Sequence, residues 1–203
     1  MSSYKIRGSS LCVRFLGVRY SRAIAFAAVS AFSLASPLIF TACSERKSEV
    51  TESGTQKEKY VLGTKVQFGI GGNSDAFRSS GWSRPEQDFT WSDGTSAVLT
   101  LVIDPSPAPL LFRATIQGLT KEPELPFQPV LVYVNQTQVA EWQVGPRAEN
   151  SATIPLDLVK SGGTLRIEFK LPKAISPSKL GLSDDPRTLA LAMCELQITQ
   201  LPR

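Results

Sequence analysis

The densest run of chemistry-bearing side chains is Gly81-Trp82-Ser83-Arg84-Pro85-Glu86-Gln87-Asp88-Phe89-Thr90-Trp91-Ser92-Asp93-Gly94, with two tryptophans, a phenylalanine and three carboxylates in 14 residues. Indole faces stack on the apolar C–H faces of sugar rings, and neighbouring carboxylates accept hydrogen bonds from hydroxyls. Trp82, Glu86, Trp91 and Asp93 are therefore candidate ligand-binding residues. The same residues have a structural use: core packing for the indoles, turn capping for Glu86 and Asp93. Glu86 and Asp93 are also the obvious pair for acid–base cleavage of a glycoside, which needs two carboxyls facing each other across the scissile bond. A second polar segment, Ser176-Pro177-Ser178-Lys179-Leu180-Gly181-Leu182-Ser183-Asp184-Asp185-Pro186-Arg187, ends on a guanidinium. Arg187 has the fork to clamp a phosphate or carboxylate bidentately. The preferred reading is a structural ion pair with Asp185, Asp184 or Glu86 that joins this segment to the tryptophan-rich one.

The chain contains no histidine. That removes Ser-His-Asp and Cys-His nucleophiles and histidine-ligated zinc or copper. No catalytic residue, metal ligand or cofactor is assigned. Gly69-Ile70-Gly71-Gly72 is not followed by Gly-Lys-Ser/Thr or a helix, so it reads as a bend or bulge and not a phosphate cradle. Of the three cysteines, Cys12 lies in an export signal and Cys43 at its end. Cys194 is left without an intramolecular partner and is expected to act as a small buried apolar residue.

Five of the 22 basic residues (Lys5, Arg7, Arg14, Arg19, Arg22) precede residue 23, and no acidic residue precedes Glu45. From Cys43 onward 17 basic residues face 18 acidic ones, so the formal charge of +4 belongs to the N-terminus and the rest carries no nucleic-acid footprint. Residues 23–42 are uncharged and rich in Ala, Ile, Leu, Phe and Val. A basic stretch before an apolar core is the plan of a secretory signal. Phe40-Thr41-Ala42-Cys43 resembles a lipobox, with Phe40 where Leu is usual. The expected organisation is a lipoprotein signal peptide over 1–42, a lipidated Cys43 with a polar tether over 43–59, and one domain over 60–203. The protein is then held at the bacterial cell envelope by its N-terminal lipid, periplasmic or at the outer membrane; Ser44 after the cysteine favours the latter. The alternative is a single N-terminal transmembrane anchor.

The elements that must position the two polar segments follow a period of two. Leu165-Arg166-Ile167-Glu168-Phe169-Lys170-Leu171 alternates without error, and Phe112, Ala114 and Ile116 alternate with Arg113, Thr115 and Gln117. Residues 97–103 and 130–134, apolar on both faces, predict central strands. Residues 139–144 predict a strand joined to the previous one through Asn135-Gln136-Thr137. Residues 188–200 predict a closing strand with Cys194, Leu196 and Ile198 on one side. One helical turn is expected around Leu156–Lys160, before Gly162-Gly163. Eight or nine short strands punctuated by 14 Pro and 14 Gly predict an all-β, two-sheet β-sandwich of jelly-roll type.

The order GW-S-x-P-E, W-S-D-G, alternating apolar strands, then S-P-x-x-L-G-x-S-x-D-x-R-x-L over residues 68–201 resembles an uncharacterised domain of bacterial envelope proteins. That domain is fused C-terminally to membrane phosphoglycerol transferases and glycosyltransferases. The chain departs from it at Asp88-Phe89-Thr90, where Trp-Gly-x is commoner, at Ala190, where Gly is usual, and at Gln136 in the hairpin. The resemblance implies an association with periplasmic or surface glycans, and not transferase activity, since the catalytic domain of those fusions is absent. Three functional expectations follow. The first is a non-catalytic glycan-binding or accessory module. The second is a structural or assembly partner of a membrane glycan-synthesis enzyme. The third, least favoured, is a carboxylate-dependent glycoside hydrolase.

Overall fold

The computed structural model describes residues 58–202. The expected signal peptide, Cys43 and most of the expected tether lie outside these residues. Ten strands form two antiparallel sheets: β1 (Lys65–Gln67), β2 (Arg78–Ser80), β3 (Thr90–Trp91), β4 (Ser96–Ile103), β5 (Leu110–Gly118), β6 (Gln128–Val134), β7 (Thr137–Val144), β8 (Ala148–Ile154), β9 (Gly163–Lys170) and β10 (Leu191–Gln200). One sheet runs β1-β10-β5-β8, with β3 also paired to β10; the other runs β2-β4-β9-β6-β7. The described chain changes sheet at every connection except β6–β7, as a jelly-roll sandwich requires.

The period-two pattern explains why these segments pair as they do. On β5, Leu110, Phe112, Ala114 and Ile116 are buried while Leu111, Arg113, Thr115 and Gln117 are half-buried on the outer face. Leu165, Ile167 and Phe169 of β9 meet them from the other sheet in one apolar core. Phe112 stacks on Trp142 with centroids 5.8 Å apart, and Phe169 lies 6.2 Å from Phe112. A one-residue slip would turn each such set to solvent, so this burial sets the register. β4 and β6, apolar on both faces, are internal in their sheet.

Four features differ from the sequence reading. The strands number ten among the described residues, not eight or nine, because β1, β2 and β3 are too brief to show a period. The helical turn is a 3₁₀ turn over Leu156–Leu158, and a second such turn spans Ser74–Ala76. β8 carries no apolar alternation before Ala152 because it is a sheet edge, exposed at Ala148, Glu149, Ser151 and Thr153. Cys194 does not share a side with Leu196 and Ile198: Met193 pairs with Ile116 and Glu195 with Thr115, leaving Cys194 as the extra residue of a β-bulge. The bulge interrupts the alternation, so Met193, Leu196 and Ile198 stay in the core while Cys194 is half-buried outside it.

Candidate functional site

β1 and β3 pair with the same edge of β10, β1 at Glu195–Gln197 and β3 at Ala192–Met193. Between them lies the bulge at Cys194, whose carbonyl accepts a hydrogen bond from Phe68 N–H at 3.0 Å. The chain leaving β1 turns through Gly69–Gly72, closed by Gly72 N–H donating to the Gly69 carbonyl at 3.0 Å. The chain entering β3 is the far arm of a hairpin built from the tryptophan-rich segment. Its rungs are Asp93 N–H to Gly81 O, Ser83 N–H to Trp91 O, and Glu86 N–H to Phe89 O, which puts Gln87 and Asp88 at the tip.

The glycine turn and the hairpin tip meet by backbone. Ile70 N–H donates to the Glu86 carbonyl at 2.9 Å. A Cβ on Gly69 would lie 2.5 Å from the Gln87 carbonyl oxygen, a separation no side chain tolerates, so glycine is required there. Buried Thr90 adds a third tie by donating its hydroxyl to the Phe68 carbonyl. These contacts enclose a pocket of about 340 Å³ over the β10 bulge, lined by Gln67, Gly69, Ile70, Gly72, Gln87, Asp88, Thr115, Cys194 and Glu195. Two side-chain amides, two carboxylates and a hydroxyl thus converge, and Ile70, 68% exposed, offers an apolar patch beside them. Burial pushes the Cys194 thiol above the ordinary thiol range; the nearby Arg147 guanidinium pulls it partly back and the Asp88 charge adds to the rise. Glu195 pairs with Lys65 at 2.9 Å.

The four ligand candidates read from the sequence occupy different places. Trp82 packs against the core, 5.5 Å from Phe68 and 6.2 Å from Phe169, with its indole N–H donating to the Val98 carbonyl at 2.9 Å. Trp82 is half-buried, with part of its ring surface spent on these core contacts. Trp91 is half-buried, edge-on to Phe89 at 5.6 Å, and packs on a satellite cluster of Leu119, Leu125, Leu180 and Leu189. Asp93 is exposed at the base of the hairpin. Glu86 is bound by Arg187 at 3.2 Å, and Arg187 also donates from Nε and Nη2 to both oxygens of Asp185. Arg187 thereby holds the Asp185 carboxyl below the ordinary carboxylate range. Neither Glu86 nor Asp93 lines the pocket.

Gln67, Gln87, Asp88, Thr115 and Glu195 were not among the sequence candidates. Their signal was present only in part: Gln87 and Asp88 fall in the dense segment, and Gly69–Gly72 was legible as a bend. What brings them to Thr115 and Glu195 is strand pairing that no local pattern encodes.

No protein-family model matches the chain, and no curated protein matches it. Among solved structures, it is similar to the C-terminal family 6 carbohydrate-binding module of LamC, a marine laminarinase from Zobellia galactanivorans. That match is 10% identical with a TM-score of 0.41, covering 68% of this chain and 98% of that one. The CBM36-1 domain of a multidomain xylanase from the hindgut metagenome of Trinervitermes trinervoides is 11% identical, with a TM-score of 0.40, covering 69% of this chain and 98% of that one. An acetyl xylan esterase, Est2A from Butyrivibrio proteoclasticus, is 13% identical with a TM-score of 0.39, and 35% of its length is covered.

Proposed function

We propose that this protein is an envelope-anchored lipoprotein whose β-sandwich is a non-catalytic glycan-binding or accessory module, with the pocket over the β10 bulge as its binding site. The observation that carries the reading is the lining of that pocket. Gln67, Gln87 and Thr115 both donate and accept, Asp88 and Glu195 accept, and Ile70 supplies a C–H surface. Sugar hydroxyls also do both, and a sugar ring presents one apolar face, so a hydroxyl-rich ring fits this inventory better than an apolar or strongly charged ligand. With no wide aromatic platform in the pocket lining, affinity is expected on the order of micromolar to millimolar.

The test is a titration of the purified full chain with periplasmic glucans, exopolysaccharide and peptidoglycan fragments, alongside Gln87→Ala and Asp88→Ala. Both changes sit at an exposed tip and are expected to leave the melting temperature unchanged while weakening binding about tenfold each, the weight of a charged or bidentate hydrogen bond. Wild type that binds none of these glycans would reject the reading. The anchor is tested separately: Cys43→Ala is expected to abolish metabolic incorporation of a fatty-acid analogue, and equal label in mutant and wild type would reject the lipoprotein assignment.

The assembly-partner reading has its own observation. A second groove of about 390 Å³ is lined by Leu125, Ala174, Ile175 and Leu180 between Glu124 and Lys173. Phe127 and Leu182, in the same two loops, are 43% and 47% exposed. Loss of a co-purifying membrane glycan-synthesis enzyme on Phe127→Ser would favour it over the glycan pocket.

A further inference from the structure

The tip of the hairpin, Gln87–Asp88, forms one wall of the pocket, and Glu86 beside it carries several of its ties. Glu86 donates its N–H to the Phe89 carbonyl, accepts Ile70 N–H on its own carbonyl, and takes the Arg187 guanidinium on its carboxylate. Arg187 is itself gripped by Asp185 through two side-chain nitrogens, while its backbone N–H donates to Asp185 Oδ1 at 2.9 Å. The guanidinium is therefore oriented by its own loop before it reaches across 101 residues of sequence to the hairpin.

We infer that Arg187, acting through Glu86, is a positioning residue for the pocket: the ion pair holds the hairpin tip over the Cys194 bulge and touches no ligand itself. The inference rests on the pocket proposed above as the binding site. It makes the Ser176–Arg187 loop a determinant of pocket shape although that loop contributes no lining residue. Cys194 provides a readout independent of any ligand, because it is a half-buried lining residue of the pocket and loosening the tip is expected to uncover it.

The experiment measures the alkylation rate of Cys194 by iodoacetamide in the full chain at fixed pH. It is read at the Cys194 peptide by mass spectrometry, so that Cys12 and Cys43 do not contribute. Arg187→Ala is expected to raise the rate about fivefold, the change in local opening when one good ion pair is lost. Arg187→Lys, which keeps the charge and loses the fork, is expected to fall between. Arg113→Ala, which removes the exposed Arg113–Glu149 pair on the outer face of the same sheet, is expected to leave it unchanged. The rise must also show the weak urea dependence of a local opening, since a merely structural role would move Cys194 only with the steep dependence of global unfolding. An Arg187→Ala rate equal to wild type, or one that follows global unfolding, overturns the inference. If Arg187→Ala does not fold, Glu86→Gln and Arg187→Lys carry the same test. A glycan arm separates this inference from the reading it rests on. If a bound glycan slows Cys194 alkylation in wild type while Arg187→Ala leaves the unliganded rate unchanged, the strut falls and the site stands. If the mutant rate rises and no glycan protects wild type, the strut stands and the glycan reading falls.

Discussion

The stem and the tip of the Gly81–Asp93 hairpin are held by different physics. At the stem, Trp82 lies between Phe68 and Phe169 and Ser92 accepts Leu191 N–H on its hydroxyl, so apolar burial and sheet pairing fix it. At the tip, four to six residues away in sequence, Gln87 and Asp88 are exposed and are held through one ion pair at Glu86 and two backbone hydrogen bonds. Core packing is close to all-or-none, whereas exposed polar contacts each contribute little and open locally. The half-buried aromatic residues pack on apolar clusters, and Gln87 and Asp88 line the pocket. The cluster's density in sequence ties an exposed polar tip to a core over very few residues.

The largest effect should come from breaking the stem. Trp82→Ala removes a ring packed on two core phenylalanines and is expected to cost about 3–5 kcal/mol by urea denaturation. Trp91→Ala, on the satellite cluster, should cost about 1–3 kcal/mol; equal losses would mean that packing on the main core holds Trp82 no more firmly than the satellite cluster holds Trp91. Breaking the contact under the tip comes next. Gly69→Ala forces a methyl against the Gln87 carbonyl and is expected to cost about 1–3 kcal/mol. It should also speed Cys194 alkylation, and a mutant with wild-type stability and reactivity would show that the tip is not seated on the turn.

The β6–β7 hairpin sharpens the comparison, because its turn joins left-handed backbone geometry to polar ties from Asn135 to β9. Asn135 and Gln136 have φ of 45° and 71°, the left-handed conformation at both central positions of a two-residue turn. Asn135 is suited to it: its side-chain oxygen accepts Arg166 N–H at 2.8 Å and its amide donates to the Thr164 carbonyl. Gln136 is not, so Gln136→Gly is expected to stabilise by up to ~1 kcal/mol, read as a rise in the urea midpoint. The smallest effect is acid dependence at the Arg187 junction. Asp185 is depressed chiefly by the side-chain hydrogen bond from Arg187. A carboxyl depressed on folding stabilises above its unfolded value, and that contribution is lost as pH falls through the folded value. Asp185→Asn should therefore melt below wild type near pH 7, with the gap closing as pH falls through and below the ordinary carboxylate range. A gap that is constant with pH would assign the effect to shape and not charge.

Much of the sandwich is legible in the sequence alone. Alternation in β5 and β9, apolar runs in β4 and β6, and the Asn135–Gln136 turn are local signals of strands with one or both faces buried. The edge strand β8 and the short strands β1, β2 and β3 were not, because they are paired on one side or too brief to show a period. At the site, Arg187 and its candidate partners Glu86 and Asp185 were readable, since a guanidinium in a polar loop must find carboxylates. The indoles were readable as a cluster but not as core or platform, because a tryptophan has the same local sequence in either role.

By itself, then, the sequence determined an all-β chain with a basic, apolar N-terminus, no histidine chemistry, and two polar loops rich in partners for one another. Tertiary structure alone decided that Trp82 points inward, that a bulge turns Cys194 out of the core, and that the glycine turn and hairpin tip enclose a pocket with residues of β5 and β10. The reason is range: alternation and turn chemistry act over a few residues, while the pocket is closed by pairings between segments more than 100 residues apart, whose register is set by the burial of the whole core.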